Sequence, residues 1–320
     1  MKKMMLIAVM ISVFIIILPI TLAGKNNYNR EKEQTLVSEV GTKTLVKEKD
    51  LFRVFDKKSN TIILMTAQDY IFGVIAAEMP ALYHIEALKA QAVAAYTYAC
   101  YKRDQNANKK YDITTDYTVD QSYKEKAQAK KDWGSKGDEY TKKIESVIEA
   151  TTGQILTYNN KPILAVYHAV SSGRTYSAKD VWGTEIKYLQ SASCEGDKLA
   201  NNYICEFEFT TAQLKKKFSI DKNEEKMKLI SNCKTKSGGL VESASVFGNK
   251  FSGSEIRNVL NLPSQNFTVK LNKSGCIITT YGYGHGVGMS QNGANYMANQ
   301  GYSYKKILSH FYRNSKLVEG

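Results

Sequence analysis

The sequence predicts an α+β protein, with mixed strands and helices forming a cleft behind an N-terminal transmembrane helix. Three observations carry that expectation. Strand-like and helix-like runs segregate without the regular βαβ alternation of a parallel sheet, and strand patterns gather in the second half. The 320 residues are 43% hydrophobic, enough to bury one large core or two smaller ones. An uncharged apolar run from Met4 to Ala23 follows Lys2 and Lys3 and is about the length that spans a hydrocarbon core.

That run is longer than an ordinary signal-peptide core, and "TLA" is a poor small-residue cleavage site. Residues 1–24 are therefore expected to remain as a membrane anchor, the alternative being a cleaved secretory peptide. Lys2 and Lys3 hold the short N-terminus in the cytoplasm and place the rest of a single-pass chain outside the cell membrane. Residues 25–50 are polar and charged, which suits a flexible linker, and an extracytoplasmic domain is expected over 51–320.

Within that domain "FRVFD" and "TIILMT" read as a hairpin closed by "KKSN". "AQDYIFGVIAAEM" carries Tyr70, Val74 and Ala77 at helical spacing and stops at Met79, because Pro80 pushes that residue out of the α region. "HIEALKAQAVAAYTYACYKR" sets Ile85, Leu88, Ala92, Ala95 and Ala99 on one face of a helix able to pack closely. "EYTKKIESVIEATTG" is a further helix with Ile144, Val147 and Ile148 inward and Gly153 as its stop. "QILTYNNKPILAVYH" reads as two strands joined at Asn159 and Asn160. Strands follow at "LVESASVF", "NFTVKL" and "CIITTY", with short helices at "TAQLKKKF", "GSEIRNVL" and "YSYKKILSHFY".

The net charge of +13 and pI near 9.2 suit an anionic partner: nucleic acid, anionic lipid or a wall polymer. Outside the membrane, nucleic acid drops out. Five cysteines without a CxxC pair argue against a metal knuckle or a disulfide scaffold. Cys194 and Cys205 bracket the polar loop "EGDKLANNYI" and either form one bridge or stay free; Cys100, Cys233 and Cys276 read as small buried hydrophobes.

The stretch "TTYGYGHGVGMSQ" alternates Gly282, Gly284, Gly286 and Gly288 around His285. Such spacing suits a loop with positive φ or close backbone approaches, and equally a tight connector. It lacks the spacing and following βαβ unit of a dinucleotide site, and the Gly-Lys-Ser/Thr of a P-loop. The four histidines, His84, His168, His285 and His310, show no HExxH spacing, so neither metal nor cofactor is expected. His84 suits a polar helix start and His310 a satisfied helix position. Glu78 is the candidate acid: the negative end of a helix and its neighbours Ala76, Ala77 and Met79 both favour the protonated form. A glutamate held neutral can protonate a glycosidic oxygen, although a solvated surface carries the same residue type.

Together, "VIAAEMPALYHIEALKAQAVAA", "YHAVSSGRTYSAKDVWG" and "YGYGHGVGMSQNGANYM" resemble the stage II sporulation protein D family of lytic transglycosylases, whose domain is shared with amidase enhancers. The three motifs run in one order across roughly residues 51–312. The resemblance implies that Glu78 is catalytic. It further implies that His168, Ser171, Ser172, Gly173, Tyr283, His285, Gly286, Ser290 and Gln291 line a glycan cleft, with Tyr96 standing there where relatives often carry an arginine. Some relatives bind zinc through a cysteine and histidine cluster after the long helix; "YDITTDYTVDQSY" offers none of those ligands. The implied reaction cleaves peptidoglycan glycan strands between N-acetylmuramic acid and N-acetylglucosamine once stem peptides are removed. The implied partners are a cell-wall amidase and a membrane protein of an engulfment complex. A non-catalytic glycan-binding enhancer of an amidase is the alternative. A plain hydrolase would need a second carboxylate, for which Asp69, Asp116 and Glu86 are the candidates.

Overall fold

The computed structural model describes residues 51–220 and 229–319. The expected anchor at 1–24 and linker at 25–50 lie outside the described residues. Among those described, no helix is long and apolar enough to cross a membrane. The fold is mixed α+β, and its buried apolar side chains fall into two cores.

The first core belongs to a helix-rich body. It opens with the expected hairpin, β1 (Leu51–Asp56) and β2 (Thr61–Thr66), paired antiparallel from Leu51↔Thr66 to Asp56↔Thr61. Helix α1 (Ala67–Glu78) starts where the Thr66 hydroxyl accepts from the Asp69 N–H, and ends at Met79 with φ −125° and ψ 142°, the extended conformation that a following proline imposes. After a turn capped by His84, α2 (Ile85–Gln105) crosses the body. Its alanines at 87, 90, 92, 94, 95 and 99 are buried, so α1, α4 (Gly137–Thr151), α8 (Gln291–Asn299) and α9 (Tyr304–Phe311) approach it closely. Ile85, expected on the inner face, is instead 38% exposed, because the helix has only just begun there. Between α2 and α4 lie β3 (Ile113–Thr114), parallel to β1, and α3 (Lys126–Asp132).

The turn at Asn159 and Asn160 is as expected, with φ 51° and 59°. It joins β4 (Gln154–Tyr158) to a two-residue β5 (Lys161–Pro162), after which the chain leaves for β6 (Tyr167–His168). Helix α5 (Ala178–Trp182) precedes the second core.

That core fills a strand-rich lobe. Two three-stranded antiparallel sheets form it, one ordered β11 (Phe267–Leu271), β12 (Gly275–Tyr281), β7 (Ile204–Thr210), the other β10 (Asn249–Ser252), β9 (Val241–Val246), β8 (Ile230–Thr235). Helices α6 (Thr211–Lys217) and α7 (Gly253–Leu260) each begin with a complete capping box and close the lobe around Leu214, Phe247, Ile256 and Ile278. Strand β12 leads straight into the glycine loop. The chain then returns to the body through β13 (Met289–Ser290), parallel to β6, then α8, α9 and β14 (Lys316–Glu319), which pairs with β4.

Candidate active site

Glu78 ends α1, half-buried. Its Oε1 accepts from the Ser122 N–H at 2.8 Å, and the Ser122 hydroxyl and Gln291 amide also donate to the carboxylate. These donors favour the charged form, but burial outweighs them and raises the Glu78 pKa above the ordinary carboxylate value. The wall behind it is phenolic. Tyr70 donates to Gln121 Oε1 at 3.2 Å, and Gln121 Nε2 donates to the Tyr167 hydroxyl at 2.8 Å. Burial first, and the nearby acids including Glu78, push both phenols well above their usual value, so they stay neutral.

Gln291 reaches Glu78 because of the glycine loop. Gly286 has φ +76° and Gly288 φ +74°. A Cβ on Gly286 would lie 2.6 Å from Tyr176 Cδ2, and one on Gly288 only 2.0 Å from the Val166 carbonyl oxygen. Both conformation and approach therefore demand glycine, and the loop is a shaped element. Past it, the Ser290 hydroxyl caps α8 by accepting from the Gly293 N–H at 3.1 Å, leaving Gln291 as the first helical residue. The Gln291 amide also donates to Gln91 Oε1 at 3.4 Å.

Two histidines meet behind the loop, with ring centroids 5.6 Å apart. His168 donates its Nδ1–H to the Val287 carbonyl at 3.1 Å, since a carbonyl can only accept; Nε2 then carries a buried, unpartnered lone pair. His285 Nδ1 accepts from the Val287 N–H at 3.1 Å, and its ring donates to the Tyr167 carbonyl. Burial pulls His168 down to about 3 and His285 to about 4, so both are neutral near pH 7. Trp182 lies beside His285, with centroids 5.8 Å apart.

The sequence reading did not include Asp197. It is fully buried in "EGDKL" and accepts from the Ser171 N–H at 2.7 Å, the Asn292 amide at 3.1 Å and the Ser290 hydroxyl, whereas the Ser171 hydroxyl is buried without a hydrogen-bond partner among the described residues. Burial raises its pKa and these donors oppose the rise. Ser171 and Ser290 thus sit inside the protein, where they join the "YHAVSSG" segment to the start of α8. No local pattern marks a loop aspartate as a buried hub.

The remaining predicted site residues spread around this centre. The Ser172 hydroxyl lies 2.5 Å from the Tyr176 hydroxyl; Gly173, at φ +92°, is buried beneath Lys198; Tyr283 is exposed; and Tyr96 sets its ring edge-on to Phe52 at 6.1 Å. Asp69 stays in the Thr66 cap at the far end of α1, Asp116 pairs with Lys57, and Glu86 binds Lys89 and the Tyr304 N–H. None of the three stands opposite Glu78. Cys194 and Cys205 are both free thiols, Cys194 buried beside Gly293 and Cys205 donating weakly to the Asn202 carbonyl, so the bridge option falls. No three His, Cys, Asp or Glu side chains gather as a metal-ligand set among the described residues.

A family model described as Stage II sporulation protein matches residues 56–158. The chain is 37% identical over 269 residues to stage II sporulation protein D of Bacillus amyloliquefaciens, covering 83% of this chain and 78% of that one. It is 33% identical over 334 aligned positions to the Bacillus subtilis (strain 168) protein of the same name, covering 100% and 96%. The chain belongs to the stage II sporulation protein D family. An amidase enhancer of Bacillus subtilis (strain 168) is 28% identical over 77% of this chain and 40% of its own length.

In this family member the 56–158 segment supplies Glu78 and Ser122. The histidines, Asp197 and Gln291 come from chain beyond it, within the full-length similarity. At the assembled centre Glu78 is desolvated, hydrogen-bonded and backed by neutral phenols, a carboxyl disposed to hold a proton.

Proposed function

We propose that the protein is a membrane-anchored peptidoglycan lytic transglycosylase of sporulation. It cleaves denuded glycan strands between N-acetylmuramic acid and N-acetylglucosamine and leaves 1,6-anhydro ends. The observation that carries this is the state of Glu78: burial, and no second carboxylate among the described residues, raises its pKa, and the three candidate partners are engaged elsewhere. Protonated Glu78 donates to the glycosidic oxygen as the bond to C1 breaks. As carboxylate it then removes the proton from the muramic acid C6 hydroxyl, whose oxygen closes on C1. The attack is intramolecular, so no activated water and no opposed carboxylate are required. Ser122 and Gln291 hold the carboxylate between these two transfers.

The positive charge of the chain suits a strand whose lactyl carboxylates are exposed. Engulfment partners, a cell-wall amidase and a membrane protein, belong to this reading. A second reading, a silent glycan-binding enhancer of an amidase, draws on the amidase-enhancer similarity. Mass analysis of denuded strands incubated with the protein separates the outcomes. Anhydro ends support the transglycosylase, reducing ends with added water point to hydrolysis, and intact strands with stimulated amidase identify the enhancer.

A further inference from the structure

The lobe carries a feature that the chemistry at Glu78 leaves unused. Where the end of α7 meets the start of the glycine loop there is a hollow of about 620 Å³, lined by Phe207, Arg257, Asn258, Asn261, Pro263 and Tyr283 among others. That volume is within the roughly 300–1,000 Å³ of small-ligand sites. Arg257 is held from one side only: its Nε donates to the Leu262 carbonyl at 3.2 Å and Nη2 to the Pro263 carbonyl at 3.1 Å. These bonds fix the plane of the guanidinium. Among the described residues no carboxylate forms an ion pair with it, although burial pulls its pKa down and the group stays charged. A half-buried, immobilised and unpaired guanidinium is costly to keep unless something anionic visits it.

The rest of the lining fits a sugar. Tyr283 is 49% exposed and its backbone is pinned by reciprocal bonds to Val170 at 3.0 and 2.7 Å, so its ring stands at an anchored position with a face open for stacking. Asn258 and Asn261 offer side-chain amides, which match hydroxyl and N-acetyl groups. Seven residues lie between Tyr283 and Gln291, so their Cα atoms are at most about 29 Å apart. Arg257 also lowers the pKa of both His285 and His168, so its charge reaches the groups behind the loop.

We propose that this hollow is a distal subsite in which the Arg257 guanidinium takes the carboxylate of an anionic amino sugar. Tyr283 stacks on the same glycan strand that Glu78 cleaves. The inference rests on reading Glu78 as the acid of a glycan-cleaving site.

The test uses the full chain carrying Glu78→Gln, which cannot turn strands over. Its affinity is measured for denuded strands and for the same strands with every carboxyl converted to a methylamide. The carboxylate strands should bind about tenfold tighter, as one charge-assisted pair allows, and the gap should shrink at high salt. Adding Asn258→Asp puts an anion into the same hollow without touching the carbonyl anchors of Arg257, and should erase the preference. Adding Arg257→Gln should do the same. A preference that survives Asn258→Asp, or equal binding of both strands before that change, overturns the proposal. Digestion by the unaltered protein reports on Glu78 separately. No products with an intact preference would reject the enzyme and keep the subsite; products without a preference would do the reverse.

Discussion

The body and the lobe differ in what they bury. The body encloses Asp112, His168 and Asp197 together with Gln91, Gln121 and Ser290, whereas among the described residues the buried polar groups of the lobe are Ser243, Ser264, Asn266 and Thr280, with no acid or histidine. Deep burial is what moves a pKa, and the shifted groups that bear on Glu78 stand in the body. The lobe keeps an apolar, capping-box-bounded core and presents its cation, Arg257, at a surface. In the proposed reaction one region tunes a proton while the other shapes what the strand meets. Among the described residues, bonds that join the two include Asn266 to Tyr176 at 2.9 Å, Tyr176 to the Gly238 carbonyl at 3.0 Å, Lys236 to the Asp180 carbonyl at 2.8 Å, and the Gly284 N–H to the Pro263 carbonyl at 2.9 Å.

The largest effect should come from the body. Glu78→Gln keeps the shape and removes the proton cycle, so turnover of denuded strands should fall by roughly 10² to 10⁴ while strand binding persists. Full activity in this variant would remove Glu78 from the chemistry. Because the folded-state pKa of Glu78 is raised, its contribution to stability is present below the unfolded value near 4.5 and is lost as pH rises through the folded one. Glu78→Gln should therefore gain thermal stability relative to the parent on going from pH 4 to pH 8. A gap that narrows instead would contradict the raised pKa.

Next comes the lobe. Phe247 is 2% exposed, and Phe247→Ala should cost about 3–5 kcal/mol. If the two cores are separate cooperative units, hydrogen exchange should speed up in β8, β9 and β10 while α2 keeps its protection. Equal loss in α2 would merge the two regions into one. A smaller contrast separates backbone conformation from contact. Gly183 has φ +77° with nothing within 4 Å of a built Cβ, so Gly183→Ala should cost about 1 kcal/mol. Gly288→Ala must also displace the Val166 carbonyl and should cost about 3 kcal/mol or more. Melting temperatures should fall by about 3 °C and at least about 9 °C; equal shifts would mean the loop approach is slack.

The smallest effect is a displaced pH profile. In the proposed reaction Glu78 acts in its protonated form, so kcat/KM should decline as pH rises through its raised pKa. Gln291→Leu removes a donor to the carboxylate and should move that alkaline limb to higher pH. A downward shift would show that Gln291 does not donate to Glu78.

The elements that sequence periodicity revealed are those with a strong local cause: Pro80 behind α1, the alanine face of α2, Asn159 and Asn160 in left-handed conformation. Strand β7 alternates cleanly, with Cys205, Phe207 and Phe209 inward between exposed Ile204, Glu206, Glu208 and Thr210; what no local pattern marks is its pairing with the distant β12. Glu78 was legible through its helix end and apolar neighbours. Its strongest recorded partner was not, because Ser122 contributes through a backbone N–H that any residue type carries. Asp197 and Arg257 lie in segments that read as polar loop and short helix; only the tertiary fold makes one a buried hub and holds the other's guanidinium against the Leu262 and Pro263 carbonyls.

The route of the chain through the site sets when it comes into being. Glu78 arrives early in synthesis, while Gln291 must travel back to it, Gln91 bonds a residue 200 positions away, and the Tyr304 N–H reaches Glu86 across 218 positions. Contacts of such separation form late and slowly in folding. A nascent chain lacking its last thirty residues has the acid but neither the donor that steadies it nor β14, the strand that pairs with β4. The centre around Glu78 is thus withheld until the chain through Gln291 and β14 has been made, a delay written into its connectivity.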